Sequence, residues 1–417
     1  MAAACILAPA PPDSFRLFRR GLMQISRRTL IHTFGAAAGI ATVAPRLASA
    51  QSQPTQSAPS RADPPTVVSS PPRDFTPGAQ PVTYPDPDII TIDPSFNALR
   101  LGNTPIQRLW TGGYWSEGPA WSSQGRYLVW SDIPSNRQLR YLDDDGRVTV
   151  FRYPSNNSNG NTFDFEGRQL SCEHGARRVV RYEHDGSITV IADAYQGKRL
   201  NSPNDLAVHR DGSIWFSDPP YGGSLYEGMV DAAGGPSNPQ GRLNAKAGQP
   251  AGAGALKREL PSNVYRVDPS GRIDMVVSEQ VLGSVPNGIA FTPDYKKVYI
   301  VARGGIVVGD VPPGNPGNII AAVHPFSNFT IDGVRCGTDG MRADVYGNLW
   351  CSSNAGTNVG YSGVTVHSPD GKMIGRIRLP EVCANVAFGG PKRNRLFMAA
   401  GQSLYAVYVN SQGAAPG

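Results

Sequence analysis

The most regular feature of the chain is a pair of short apolar runs joined by a tight turn. The stretch LNSPNDLAVHRDGSIWFSDPPYG shows it most clearly, because it predicts a strand from Asp205 to Val208, a turn at Asp211-Gly212 and a second strand from Ser213 to Asp218. Asp-Gly between two such runs is typical of a β-hairpin, since these residues tolerate the positive φ angles of the turn. Asn204 and Tyr221 are therefore expected at the same end of one hairpin.

The same pattern occurs in five further places, and the residue that opens each copy is called here its entrance position. The entrance positions are Glu117, Asn159, Asn204, Asn287, Asp339 and, in a weaker sixth copy, Ala384. They recur roughly every 40 to 50 residues, apart from one doubled interval that contains a Gly-, Pro- and Ala-rich stretch, residues 222–262, which we interpret as a loop insertion. Several copies are followed by a second hairpin. The pattern predicts an all-β fold, a six-bladed β-propeller.

The two ends of the repeat region are expected to meet. The last copy has no clear outer strand after Val409, and the run IQRLW, Ile106 to Trp110, can supply one from the other end of the chain. Residues 89–417 would then form the propeller domain. Residues 51–88 are rich in Pro, Ser, Thr and Gln and have few large apolar side chains, so we expect a disordered linker there.

Residues 1–50 have the features of an export signal. SRRTLI, Ser26 to Ile31, precedes a moderately apolar run, and Ala48-Ser49-Ala50 offers a small-residue cleavage site. This resembles a twin-arginine signal peptide, which implies transient contact with the Tat translocon and a periplasmic or secreted mature protein. The alternative, a membrane anchor, is disfavoured because the apolar run is short and rich in Gly and Ala, so no stable membrane insertion is expected after processing.

The net charge of +6 does not indicate a nucleic-acid partner. Residues 1–50 contain six arginines and one aspartate, which leaves 33 basic and 32 acidic residues in the rest of the chain. A nearly neutral mature protein without a basic stripe is unlike a nucleic-acid-binding domain. The four cysteines after the signal show no CxxC spacing, so they are either disulfide partners or buried thiols: Cys172, Cys336, Cys351 and Cys383.

The entrance positions carry the candidate chemistry. In a propeller the inner strands line one central channel, so equivalent positions form a ring at one end of it. This entrance ring would contain Glu117, Asn159, Asn204, Asn287 and Asp339. Buried carboxylates and amide oxygens that converge favour a hard divalent cation. The alternative is that Asn-Gly and Asn-Asp are only turn formers.

The motifs EGPAW, SPND, PNGIAF and DGMRADVYGNLW, in this order and register, resemble the SMP-30/gluconolactonase family of six-bladed propeller lactonases. CEHGARR is similar to a stretch of its bacterial gluconolactonase branch. The resemblance covers residues 100–410 and implies a bound divalent metal, most readily Ca²⁺, with Zn²⁺, Mg²⁺ or Mn²⁺ as alternatives. By position, the resemblance implies metal ligation by Glu117, Asn287 and Asp339, and Asn204 matches an asparagine next to the metal that contacts substrate or completes the ligand shell.

The resemblance also implies the reaction, opening of a sugar lactone such as glucono-1,5-lactone to the aldonic acid. Asp339 would hold the ion and accept a proton from the attacking water. Substrate contacts are expected from Asn159, His174, Arg199, Asn204, Asp205 and Tyr221. Arg199 departs from the register of the family's substrate-binding arginine. Two alternatives remain open, an organophosphate or aryl-ester hydrolase that uses the same metal and a binding propeller without catalysis.

Overall fold

The computed structural model describes residues 63–224, 258–312 and 320–415. The predicted signal segment, the first part of the predicted linker and most of the 222–262 insertion lie outside the described residues. All statements below refer to the described ranges.

Six antiparallel sheets surround a central channel as the blades of a propeller, which confirms the predicted fold. The strands of each blade are given from the channel outward. Blade 1 contains Ser116–Ser122, Tyr127–Asp132, Arg137–Leu142 and Val148–Arg152, and blade 2 contains Ser158–Phe163, Gln169–Glu173, Arg178–Tyr182 and Ile188–Ala192. Blade 3 contains Leu206–Val208, Ile214–Ser217, Val264–Val267 and Ile273–Val277. Blade 4 contains Ile289–Phe291, Lys297–Ala302, Gly305–Asp310 and His324–Ser327, and blade 5 contains Met341–Ala343, Leu349–Ser353, Gly363–His367 and Met373–Arg378. Blade 6 contains Cys383–Gly389, Arg395–Ala400, Ser403–Tyr408 and Gln107–Thr111. Each inner strand contacts the next, and the sixth contacts the first, so the ring is closed.

The second strand of a blade is buried on both faces. Leu349–Ser353 and Arg395–Ala400 are buried along their whole length. Because neighbouring blades cover both faces of each sheet, these strands have continuous apolar runs instead of an alternation of apolar and polar residues. Aromatic side chains fill the space between blades, and Trp121 of blade 1 stacks on Phe397 of blade 6 with ring centroids 5.8 Å apart.

Strands from both chain ends close the ring, as predicted. Gln107–Thr111 pairs antiparallel with Ser403–Tyr408 and completes blade 6. Blade 5 gains a fifth strand, Ile89–Thr91, on its outer edge. The pairing joins the start of the propeller domain to its end, so blade 6 cannot form until both segments are present.

The prediction of a disordered linker is wrong for residues 63–88, which pack on the propeller. Val67 is buried, and its backbone N–H lies 3.2 Å from the carboxylate oxygens of Asp88. Composition is a poor guide here, because this segment is held by buried charges and not by an apolar core of its own.

The contact that holds residues 63–88 is a buried ion cluster around Arg73. Its Nη1 lies 2.8 Å from Asp86 and 3.3 Å from Asp88, and its Nη2 donates to the carbonyl of Ile106 at 2.9 Å. Arg378 of blade 5 approaches Asp88 at 3.2 Å. Burial raises the pKa of Asp88, so the carboxylate depends on these cations to remain charged.

Other elements are short. They are the α-helix Glu279–Leu282, the 3₁₀ turns Pro94–Ala98 and Tyr221–Ser224, and the hairpins Ala194–Tyr195 with Lys198–Arg199 and Thr330–Ile331 with Val334–Arg335. No helix in the described ranges is long and apolar enough to cross a membrane. The cysteines are buried free thiols and not disulfide partners: Cys172, Cys336, Cys351 and Cys383.

We predict that Arg73→Met strongly destabilises the protein, because two carboxylates remain buried without their main cation. The free energy of unfolding should fall by about 3 kcal/mol. The matched control is Arg126→Met, which breaks an exposed ion pair with Asp144 and should cost less than about 1 kcal/mol. Urea unfolding of both variants measures the difference, and equal losses would show that the buried cluster does not hold this segment.

Candidate metal centre

The entrance residues converge at one end of the channel, because the inner strands touch each other there. The backbone N–H of Gly160 donates to the carbonyl of Asn204 at 2.8 Å, and that of Gly288 donates to the carbonyl of Asp339 at 3.1 Å. A Cβ atom at Gly288 would lie 2.0 Å from that carbonyl oxygen, so only glycine permits this approach. The glycine brings the preceding side chain to the channel.

Two carboxylates of the ring, those of Glu117 and Asp339, share a buried site. They lie near enough for the charge of Asp339 to raise the pKa of Glu117, and Glu117 is only 2 % exposed. Burial raises the pKa of both carboxyls, and the negative charge of Asp205 raises both further. Neither forms an ion pair with Lys or Arg among the described residues. Two neighbouring buried carboxylates require a cation between them if both are to be ionised.

Asn287 adds a ligand of the matching chemistry. Its side chain lies near the Asp339 carboxylate and lowers the pKa of that group against the effect of burial, and its Oδ1 is buried without a hydrogen-bond partner in the described part of the chain. No three Asp, Glu, His or Cys side chains of the described ranges come together as a metal site, so a cation here would depend on amide oxygens as well as carboxylates. Asn204 occupies the equivalent position of blade 3. Such an all-oxygen set fits a hard divalent cation.

Asn159 and His174 form a neutral polar pair beside this site. Asn159 Nδ2 lies 3.4 Å from His174 Nε2, and Nδ1 of the same ring is buried without a hydrogen-bond partner in the described ranges. Burial lowers the pKa of His174 to about 3. The ring is therefore neutral at physiological pH, which suits it to hydrogen bonding and makes it a poor base.

Comparison with known proteins assigns the family. The sequence model of the SMP-30/Gluconolactonase/LRE-like region matches residues 115–402. The chain belongs to this family. A gluconolactonase of Zymomonas mobilis is 27% identical over 346 residues, which cover 78% of this chain and 87% of that protein.

Two solved structures are also similar to the chain. One is a gluconolactonase of Xanthomonas campestris, 31% identical with a TM-score of 0.63, covering 77% of this chain and 94% of that one. The other is regucalcin of Agrobacterium tumefaciens, described as a calcium-binding protein, 18% identical with a TM-score of 0.54, covering 74% and 95%. At that identity the regucalcin likeness shows the fold alone.

In this SMP-30/gluconolactonase propeller, Tyr221 begins the 3₁₀ turn Tyr221–Ser224, near enough to Asp339 for the charge of that carboxylate to act on the phenol. Ser202 Oγ donates to the carbonyl of Pro219 at 2.6 Å and accepts from the N–H of Gly222 at 2.8 Å, which fixes the turn that carries the tyrosine. Burial, together with the charge of Asp339, raises the pKa of Tyr221 to about 12. The phenol is thus protonated and close to the carboxylate pair.

Two residues predicted to bind substrate have other partners in this structure. The Asp205 carboxylate accepts from the N–H of Leu206 at 2.9 Å and lies 3.3 Å from the Arg342 guanidinium, so both of its oxygens are already used inside the channel. Arg199 is exposed in a two-residue strand, and its side chain donates to the carbonyl of Ala176. The structure does not bring Arg199 into the entrance ring, in keeping with its altered register.

Sequence reasoning missed the buried polar groups behind the ring. Asn161 Nδ2 donates to the carbonyls of Gly118 and Asn159 at 2.8 and 3.0 Å, and Gln138 donates to Asn161 Oδ1 at 3.0 Å. The N–H of Asp339 donates to Ser352 Oγ at 2.9 Å. The sequence signal that could have identified them is the presence of polar residues within buried strands, because a buried amide or hydroxyl normally has a hydrogen-bond partner.

We predict that His174→Gln makes the protein less sensitive to mild acid. The folded state keeps the ring neutral down to about pH 3, whereas an unfolded chain protonates its histidine near pH 6.5, so the unfolded state gains protons and stability as pH falls through this window. Between these two pKa values, each unit by which the pH falls lowers the free energy of unfolding of the wild type by up to about 1.4 kcal/mol because of this residue. Urea unfolding at pH 7 and pH 5 measures the loss, and an equal loss in the variant would contradict the assignment.

Proposed function

We propose that this protein is a divalent-metal-dependent lactonase that opens a sugar lactone such as glucono-1,5-lactone. The observation that carries the proposal is the buried pair of Glu117 and Asp339 beside the unpartnered oxygen of Asn287. Membership of the SMP-30/gluconolactonase family, and the lactonase activity named for its relatives, support the same reaction.

The residues of the ring have separate roles in this proposal. Glu117, Asn204, Asn287 and Asp339 would hold the cation. When bound, a divalent cation supplies Lewis-acid polarisation of a carbonyl oxygen. Asp339, an acceptor when ionised, takes the proton of the attacking water. Asn204, at the entrance of blade 3, orients the lactone.

The groups beside the ring suit a polyol. His174 offers a neutral, buried imidazole, Asn159 an amide and Tyr221 a protonated phenol. Hydroxyl groups of a sugar lactone can donate to and accept from all three. An aryl ester or an organophosphate would leave these polar groups unpaired on binding, at a cost in free energy.

We predict that lactone hydrolysis by the purified mature protein is lost with chelator and restored by a divalent cation. The physical reason is that two neighbouring buried carboxylates cannot hold an open, ionised site without a cation. The measurement is a pH-stat assay on glucono-1,5-lactone and several pentonolactones, with an aryl ester as comparison. Full activity in a metal-free sample, verified by elemental analysis, or cleavage of the aryl ester alone would overturn the proposal.

We predict that Asp339→Asn remains nearly inactive at saturating metal. The amide keeps an oxygen and nearly the same volume, but it cannot accept the proton, and loss of a general base typically costs about 10²- to 10⁴-fold in kcat. Asn287→Ala is the matched control, because it removes a neutral ligand and should recover most of its activity in excess metal. If kcat of both variants recovers alike, Asp339 is a ligand and not the base.

A further inference from the structure

A backbone hydrogen bond ties the end of the second strand of a blade to the segment that leads into its entrance residue. In blade 2 the N–H of His174 donates to the carbonyl of Asn157 at 3.3 Å, and in blade 5 the N–H of Asn354 donates to the carbonyl of Gly337 at 2.7 Å. In both blades the donor stands 15 residues after the entrance residue and the acceptor two residues before it. The backbone itself therefore closes these two blades at the entrance end.

Blade 3 cannot form this bond, because Pro219 occupies the donor position and proline has no backbone N–H. Ser202, two residues before Asn204, supplies the connection with its side chain. Its Oγ donates to the carbonyl of Pro219 at 2.6 Å and accepts from the N–H of Gly222 at 2.8 Å. One hydroxyl thus replaces the backbone bond and joins both ends of residues 219–222, called here the Pro-Pro turn.

The Pro-Pro turn packs against Ser202 and against the polar pair beside the entrance ring. A Cβ atom at Gly222 would lie 2.7 Å from Cβ of Ser202 and 3.3 Å from Cβ of His174. The imidazole of His174 in turn lies 3.4 Å from the amide of Asn159. Tyr221, adjacent to Gly222, is thus carried next to the groups that suit a polyol.

The turn depends on this hydroxyl because the turn has few hydrogen-bond donors of its own. Two consecutive prolines fix φ at both positions and offer no N–H, so only Tyr221 and Gly222 can donate from the backbone. Ser202 is fully buried and binds the second of these donors. Without the hydroxyl, the carbonyl of Pro219 and the N–H of Gly222 both lose this partner, and we expect the stiff turn to move as a whole.

We propose that Ser202 is a positioning residue that holds Tyr221 beside the entrance ring and thereby sets the affinity for the hydroxyl groups of the lactone. The inference rests on the proposed function, in which the substrate is a sugar lactone and the Tyr221 phenol is one of the groups that bind it. Ser202 acts through the Pro-Pro turn, since its own hydroxyl hydrogen is donated to Pro219.

The test is a double-mutant cycle on the full mature protein, with KM and kcat measured for glucono-1,5-lactone at saturating divalent cation. Ser202→Ala should raise KM by about 3- to 10-fold, the loss of roughly one hydrogen bond, with little change in kcat. In the Tyr221→Phe background the same substitution should have little further effect, because the phenol hydroxyl it positions is already absent. Ser202→Cys keeps a weaker donor, should raise KM less, and serves if the alanine variant does not fold.

Ser213→Ala is the matched control. Ser213 is also a fully buried serine of blade 3, and its hydroxyl donates to Asp211 at 2.6 Å and accepts from Trp215 Nε1 at 3.1 Å, at the opposite end of the blade. This variant should lose stability but keep the wild-type KM.

Three results would contradict the inference alone: an unchanged KM in the Ser202 variants, a rise of equal size with and without the Tyr221 hydroxyl, or an equal rise in Ser213→Ala. A wild type that hydrolyses no sugar lactone would overturn the proposed function and the inference with it.

Discussion

The propeller directs three carboxylates, those of Glu117, Asp205 and Asp339, into one narrow channel. Burying a charge is unfavourable unless it is paired, so the compensation of each carboxylate organises what surrounds it. Asp205 has the guanidinium of Arg342. Glu117 and Asp339 have no Lys or Arg partner in the described ranges and are left with each other and with amide groups. The chain therefore neutralises one carboxylate internally and leaves a pair that an external cation can bind.

The approach of the inner strands is the geometric condition for this pair. Gly118 and Gly288 lie so close to the next blade that a Cβ atom would overlap its backbone at 2.0 Å. Backbone hydrogen bonds donated by Gly160, Gly288 and Gly340 to the next blade hold the inner strands together at the entrance positions. Asn161 and Ser352 then hold the same backbone from behind. The entrance side chains consequently project from a backbone that hydrogen bonds hold in place.

Repetition made most of the fold predictable, and local composition misled where repetition ended. The entrance positions and the closing strand follow from a recurring pattern, so the six blades and the pairing of Gln107–Thr111 were anticipated. Residues 63–88 contain few apolar side chains, and their order depends on the long-range ion cluster of Arg73, which no local pattern reveals. Asn161, which holds the entrance strands from behind, was missed because the repeat marks the entrance residues and not the polar residues buried within the strands.

The structure also bears on the alternative that Asn-Gly at an entrance is only a turn former. A turn glycine is selected for its positive φ, as at Gly212 in the hairpin of blade 3, where φ is 83°. Gly160, Gly288 and Gly340 are not among the positive-φ glycines of the described residues, and their backbone N–H groups bond to the next blade. These glycines are required for close packing between blades, so the turn explanation does not account for them. Because the glycine provides the close packing, packing does not determine the type of the residue before it. In four of the six blades the residue before the glycine has a side-chain oxygen.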